Sequence, residues 1–131
     1  MPLKNSKKIL IIDDDDRNIF ALEAVLKAKG FDCISAISGK DGLLLLTGQT
    51  DIGIALIDVM MPKMDGFEMI KEIRAMPDYA FLSIIAVTAQ AMPGDREKCL
   101  SAGANDYVSK PIDIEILLKI IAQYLNQSSL S

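Results

Sequence analysis

A six-residue run, Ile52 to Ile57 (IGIALI), contains only apolar residues and glycine and stops at a carboxylate, Asp58. A segment this short with no polar face suits a strand covered on both sides, which is the situation of strands in a parallel sheet flanked by two helix layers. The C-terminal edge of such a sheet is where open α/β domains bind ligands, so Asp58 stands where chemistry is done and not where a fold needs a charge. The segment after it supports that placement. Val59, Met60, Met61 and Pro62 make an apolar loop stiffened by proline, and Asp65-Gly66 is expected to open a helix with Asp65 as its N-cap.

The rest of the chain repeats the alternation. Ile9 to Ile12 is a second short apolar run, ended by four aspartates, Asp13 to Asp16. Ile19, Leu22, Val25 and Leu26 recur at helical spacing between Arg17 and Lys29, with Asp16 as expected cap and Gly30 as stop. Phe31 to Ile37 reads as a strand, followed by a short helix through Leu43 to Leu46 that ends near Gly48. Phe67, Ile70 and Ile73 line a third helix that must end before Pro77. Ser83 to Thr88 is a fourth strand, and Pro93 suits the first turn of a helix that runs to Ala102 and closes at Gly103. Asp106 to Ser109 is a fifth strand. Asp113 caps a last helix whose core stripe is Ile114, Leu117, Leu118, Ile121 and Leu125. Five strands alternating with five helices predict one doubly wound α/β domain over 1–131 with a parallel sheet; the alternation does not fix the strand order, and the flavodoxin-like order 2-1-3-4-5 is expected from the size of the domain. Its core spans about 7–126, and the polar tail, 127–131, is expected to fray.

Composition narrows the function. With 131 residues, 50% hydrophobic and 24% charged, the chain has room for one core and not two. A formal net charge of -4 argues against nucleic acid bound through a basic face. Cys33 and Cys99 lack metal-type spacing, histidine is absent, and the thiols read as buried groups of a reducing compartment. No apolar run approaches the ~18 residues of a membrane span and no signal-peptide core follows Met1, so a soluble cytoplasmic protein is expected.

The chemistry follows from the residues at the strand ends. If the first and third strands are neighbours, Asp13 and Asp14 meet Asp58, and at ~4 Å with an effective dielectric near 20 each like-charge pair costs about 4 kcal/mol. Such a cluster calls for a cation, and all-oxygen ligands without His or Cys favour Mg²⁺. Asp16, and in part Asp15, is accounted for by the helix N-terminus it precedes. Thr88 ends the fourth strand with a hydroxyl, and Lys110-Pro111 follows the fifth with a cation on a stiff turn. A carboxylate nucleophile with Mg²⁺ on one side and a lysine and a hydroxyl on the other is the set that phosphoryl transfer to aspartate requires.

The motifs ILIIDDDDRN, LIDVMMPKMDGFE, AVTAQAMPGD and AGANDYVSKPID together resemble the receiver domains of two-component response regulators over essentially the whole chain, above all those of hybrid kinases and stand-alone regulators. The resemblance implies that Asp58 is the phosphoacceptor, taking a phosphoryl group from a histidine kinase or a histidine phosphotransfer protein. It implies Mg²⁺ held by Asp13, Asp14, Asp58 and the Met60 carbonyl, with Thr88 and Lys110 on the phosphoryl oxygens and Tyr107 as an aromatic switch. It also implies a cis Lys110-Pro111 peptide. Such a domain is a signalling module that catalyses its own phosphorylation and dephosphorylation, not an enzyme with an external substrate. Met60 and Gln90, two residues beyond Asp58 and Thr88, are expected to border the path of the water that hydrolyses the phosphoryl group.

Other classes fit less well. A haloacid-dehalogenase-like phosphatase needs a second carboxylate where Met60 stands, and a nucleotide-binding module needs a glycine-rich phosphate loop that the eight scattered glycines do not form. A pseudo-receiver would have lost Asp58, the acidic pair or Lys110. The output is expected on the face made by the fourth helix, fifth strand and fifth helix. There Ile116, Ile120 and Tyr124 form a second apolar stripe about 120° or more from the core stripe, offered to an unidentified partner.

Overall fold

The computed structural model describes residues 7–48, 51–60, 66–89 and 94–130, with side chains to residue 125. The expectations for Pro62, the Asp65 cap, Gln90 and Pro93 fall outside the described residues.

In chain order the elements are β1 (Lys8–Ile12), α1 (Asp16–Ala28), β2 (Cys33–Ala36), α2 (Gly39–Gly48), β3 (Ile52–Asp58), α3 (Gly66–Ala75), a 3₁₀ turn (Pro77–Tyr79), β4 (Ser83–Thr88), α4 (Asp95–Ala102), β5 (Asp106–Ser109) and α5 (Ile114–Leu130). All strand pairings are parallel and the sheet order is β2-β1-β3-β4-β5, the order expected for a domain of this size. The period-2 alternation of strand side chains divides the core into two halves. Ile9, Ile11, Ile54, Leu56, Ile85 and Val87 pack with Leu22 and Leu26 of α1 and Leu117 and Ile121 of α5. Leu10, Ile12, Ala55, Ile57, Ile84 and Ala86 face the other way, onto Leu46 of α2, Met69, Ile70 and Ile73 of α3, and Cys99 and Ala102 of α4. Every residue of β3 is buried, which is why a run with no polar face was needed there.

Several boundaries differ from the sequence expectation, each for a local reason. Asp15, not Asp16, caps α1: its backbone is extended and its carboxylate accepts from the Arg17 amide at 2.9 Å, so Asp16 is the first helical residue. α2, for which the sequence marked only the stretch through Leu43 to Leu46, starts at Gly39, where the Ser38 hydroxyl accepts from the Asp41 amide at 3.1 Å. β2, at the sheet edge, keeps only the four residues that pair with β1. α5 runs on to Leu130 in place of the frayed tail expected over 127–131, there being no Gly or Pro after Leu125 to end it. Cys99 is buried, whereas Cys33 is half-buried. Asp113 does cap α5, accepting from the Glu115 and Ile116 amides at 3.0 and 3.3 Å.

One close approach positions the functional edge. A Cβ on Gly66 would sit 2.9 Å from the Asp58 carbonyl oxygen and against the Val59 backbone, so only glycine lets α3 begin this near the end of β3.

Candidate functional site

Strand register assembles the site. Ile12 of β1 is paired with Ile57 of β3, so the residues after them, Asp13 and Asp58, emerge side by side at the C-terminal edge of the sheet. Both carboxylates are buried, at 4% exposure each, while Asp14 is exposed. Each buried carboxylate is anchored by the same local device. Asp58 Oδ1 accepts from the Met60 amide at 2.8 Å, and Asp13 Oδ1 accepts from the Asp15 amide at 2.9 Å. These bonds from two residues downstream lock both side chains to their own loops. The second oxygens are left to face Lys110, whose Nζ lies 3.1 Å from Asp58 Oδ2 and 3.3 Å from Asp13 Oδ2.

Lys110 arrives from the other half of the sheet. β5 pairs with β4 in the register Thr88↔Ser109, and the Lys110 amide donates to the Thr88 carbonyl at 2.7 Å. The Lys110-Pro111 peptide is cis, as the motif resemblance implies. Thr88 itself is buried at the end of β4.

The site holds more negative charge than one lysine balances. Burial pushes the Asp58 carboxyl above its ordinary range against the opposing pull of the Met60 amide and Lys110, and Asp13 adds to the rise. At Lys110 burial works against the charge, but the hydrogen bond and charge of Asp58, with Asp13 behind them, outweigh it and hold the ammonium above its ordinary value. Asp13, Asp14 and Asp58 each present an oxygen within 4.8 Å of the others. This donor set is wholly oxygen, anionic and open to solvent through Asp14, and so fits a hard divalent cation such as Mg²⁺.

The remaining sequence-predicted residues are distributed around this edge. The Met60 side chain is 47% exposed beside Asp58. Tyr107 is half-buried on β5, opposite Ala86 of β4, and packs on the α2-α3-α4 side of the core. The apolar stripe expected on α5 is only partly a surface. Ile116 is 52% exposed, but Ile120 and Tyr124 pack against the α1-α5 half of the core, and the Tyr124 hydroxyl donates to the Asn105 carbonyl at 3.2 Å. α5 thus buries more than one stripe, which a flat helical projection does not anticipate. Sequence reasoning missed Asn18. It lies on α1 and lines a cleft of about 350 Å³ with Leu22, Val25, Asp13, Lys110 and Pro111, and its signal was its place four residues before Leu22 and seven before Val25.

Comparison with known proteins agrees with this geometry. Residues 9–122 match the family described as the response regulator receiver domain. An uncharacterized 14.6 kDa protein of Leptolyngbya boryana is 38% identical over 116 residues, which are 88% of each chain. Response regulator PleD of Caulobacter vibrioides is 36% identical over 82% of this chain, which spans only 24% of that longer protein. Among solved structures, the receiver domain of sensor histidine kinase PA1611 from Pseudomonas aeruginosa, with a magnesium ion coordinated in its active site cleft, superposes with a TM-score of 0.83 at 33% identity, covering 93% of this chain and 99% of that one.

Proposed function

This chain belongs to the response regulator receiver domain family, and from that premise we propose that it accepts a phosphoryl group on Asp58 from the phosphohistidine of a histidine kinase or histidine phosphotransfer protein. The observation that carries the reading is the position of Asp58 Oδ2, 3.1 Å from Lys110 Nζ, in a cluster with Asp13 and Asp14 whose ligand oxygens lie within 4.8 Å of one another.

Asp58 Oδ2 attacks the phosphorus, the phosphorus–nitrogen bond of the donor breaks, and the imidazole leaves with the electron pair. The Met60 amide on Asp58 Oδ1 holds the carboxylate so that Oδ2 faces the donor. Lys110 exchanges its contact with the two carboxylates for one with a phosphoryl oxygen, and the Thr88 hydroxyl turns to donate to another. Asp13, Asp14, Asp58 and the Met60 carbonyl would hold Mg²⁺, which when bound would supply charge neutralisation that one lysine cannot provide alone. Met60 borders the approach of the hydrolytic water and, with the Gln90 expected there from its spacing to Thr88, sets the lifetime of the aspartyl phosphate. Movement of Thr88 draws the Tyr107 ring toward β4 and changes the α4-β5-α5 face, where Ile116 is the exposed apolar contact for an output partner.

The test is labelling with acetyl phosphate in MgCl₂. One hydroxylamine-labile phosphate is expected, lost in Asp58→Asn and in EDTA; retained label in either would overturn the assignment.

A further inference from the structure

The AGAND segment does not take part in the phosphorylation chemistry, yet it is tied by several side-chain hydrogen bonds to distant elements. Arg74, the penultimate residue of α3, reaches across the end of the domain. Its Nε donates to the Gly103 carbonyl at 2.9 Å, one terminal nitrogen to the Tyr79 and Ala80 carbonyls at 3.3 and 3.2 Å, and the other to Asn105 Oδ1 at 2.8 Å. Asn105 Oδ1 also accepts from the Ile84 amide at 2.8 Å, and the Asn105 amide returns a bond of 2.7 Å to the Ile84 carbonyl. Tyr124 of α5 donates to the Asn105 carbonyl. The turn is moulded to the guanidinium: Gly103 has φ +122°, and a Cβ there would lie 2.9 Å from Arg74 Cγ. One half-buried side chain thus joins α3, the 3₁₀ turn and the turn between α4 and β5, and Asn105 carries the tie on to the start of β4.

The two ends of α4 are held very differently. Its buried residues, Cys99 and Ala102, are both in its second half, while Arg96, Glu97 and Lys98 are exposed. The first turn is entered from Gly94 at φ +93°, with no side-chain cap. The C-terminal half, by contrast, is continuous through the Ala104 amide to the Cys99 carbonyl, at 3.0 Å, with the turn that Arg74 clasps.

We propose that Arg74 is the fulcrum of the output helix: it pins the C-terminal end of α4, so that a displacement at the Thr88 end of β4 becomes a swing of the N-terminal end of α4 about Gly103–Asn105. The inference rests on the reading that phosphorylation of Asp58 draws Thr88. Because the start of β4 is tied at Ile84 to the same turn, the movable end of the strand and the movable end of the helix both lie on the side of Asp58. Arg74 is in this sense a positioning residue, remote from the reacting atoms.

The experiment compares wild type with Arg74→Met and Arg74→Lys, each by amide exchange without ligand and by NMR with Mg²⁺ and beryllofluoride. Without ligand, exchange at Gly103, Ala104, Asn105 and Ile84 should rise about tenfold or more in Arg74→Met, the effect of losing even one charge-assisted hydrogen bond, and by an intermediate factor in Arg74→Lys. Unchanged exchange there, or the same acceleration throughout the chain, would overturn the fulcrum whatever beryllofluoride does. With beryllofluoride, wild-type shifts in α4 should be concentrated at Gly94 to Lys98, and in both variants they should spread to Gly103–Asn105 while those at Asp58 and Thr88 persist. A wild-type α4 that shifts equally at both ends would also overturn it. Absence of any shift at Asp58 and Thr88 would instead refute the phosphoacceptor reading, with the exchange data still deciding whether Arg74 pins the turn.

Discussion

Replacing Lys110 by methionine keeps an unbranched side chain and removes the charge between two buried carboxylates. Lys110 is 26% exposed at its side chain and Asp13 and Asp58 only 5% each, so the anions cannot regain full hydration when their partner is lost. Breaking a fully buried pair costs ~3–5 kcal/mol, and the partial exposure of the lysine brings this to about 2–3 kcal/mol at pH 7, or roughly 10 °C in Tm for a domain of this size. The pH dependence has a definite sign. The raised pKa of Lys110 keeps its stabilising contribution intact below its ordinary 10.5 and loses it only as pH rises through the folded value, so the pH dependence on the acid side is set by Asp58. Asp58 holds its proton above its ordinary 3.8, and ionising it in the fold lowers stability as pH rises through that interval. Lys110 opposes this, so its removal widens the interval upward. The difference between wild type and Lys110→Met is therefore expected to be smaller at pH 4 than at pH 7. Urea denaturation at pH 4 and 7 in EDTA measures it. MgCl₂ at pH 7 should recover more stability in the variant than in wild type, since the cluster has lost its only built-in cation among the described residues. Equal losses at both pH values, or none at either, would refute the electrostatic account.

Two further substitutions probe the loop after β3. Gly66→Ala brings a Cβ against the Val59 backbone and the Asp58 carbonyl, neither of which can yield as a side chain can; a loss of ~1–3 kcal/mol and at least tenfold slower labelling of Asp58 by acetyl phosphate are expected, with Gly48→Ala, which meets nothing within 4 Å, as the neutral control. Met60→Asn or Met60→Glu places a polar group where an apolar side chain borders Asp58 and should shorten the half-life of the aspartyl phosphate by a few-fold at unchanged labelling stoichiometry, read by phosphate release; an equal or longer half-life in both variants would remove Met60 from the hydrolytic path.

Much of this protein was legible in one dimension because the determining physics is local. A run such as Ile52 to Ile57 has no polar face to present to water, so it forms a strand covered on both sides, and β4 and β5 occupy the residues their composition predicts. The Asp113 cap and the Gly103 stop are likewise contained within a few residues of chain. The charged groups at the strand ends were also readable, since a sheet interior has no use for Asp58 or Lys110, whereas Thr88 suits a strand and was readable only from its place beside them.

What tertiary structure alone decided are relations between residues far apart in the chain. That Asp13 stands beside Asp58 depends on β1 pairing with β3, and that Lys110 reaches both depends on β5 lying beyond β4. Which oxygen of each carboxylate faces the lysine was settled by the turns that occupy the other oxygen. Ile120 and Tyr124 look like a free stripe on a helical projection but are half-buried, because burial is a property of the surface a helix meets and not of the helix alone. Arg74 left no trace in any periodicity: an arginine at a helix end is ordinarily a solvated charge, and only the convergence of four acceptors from two distant segments in space makes this one a clasp.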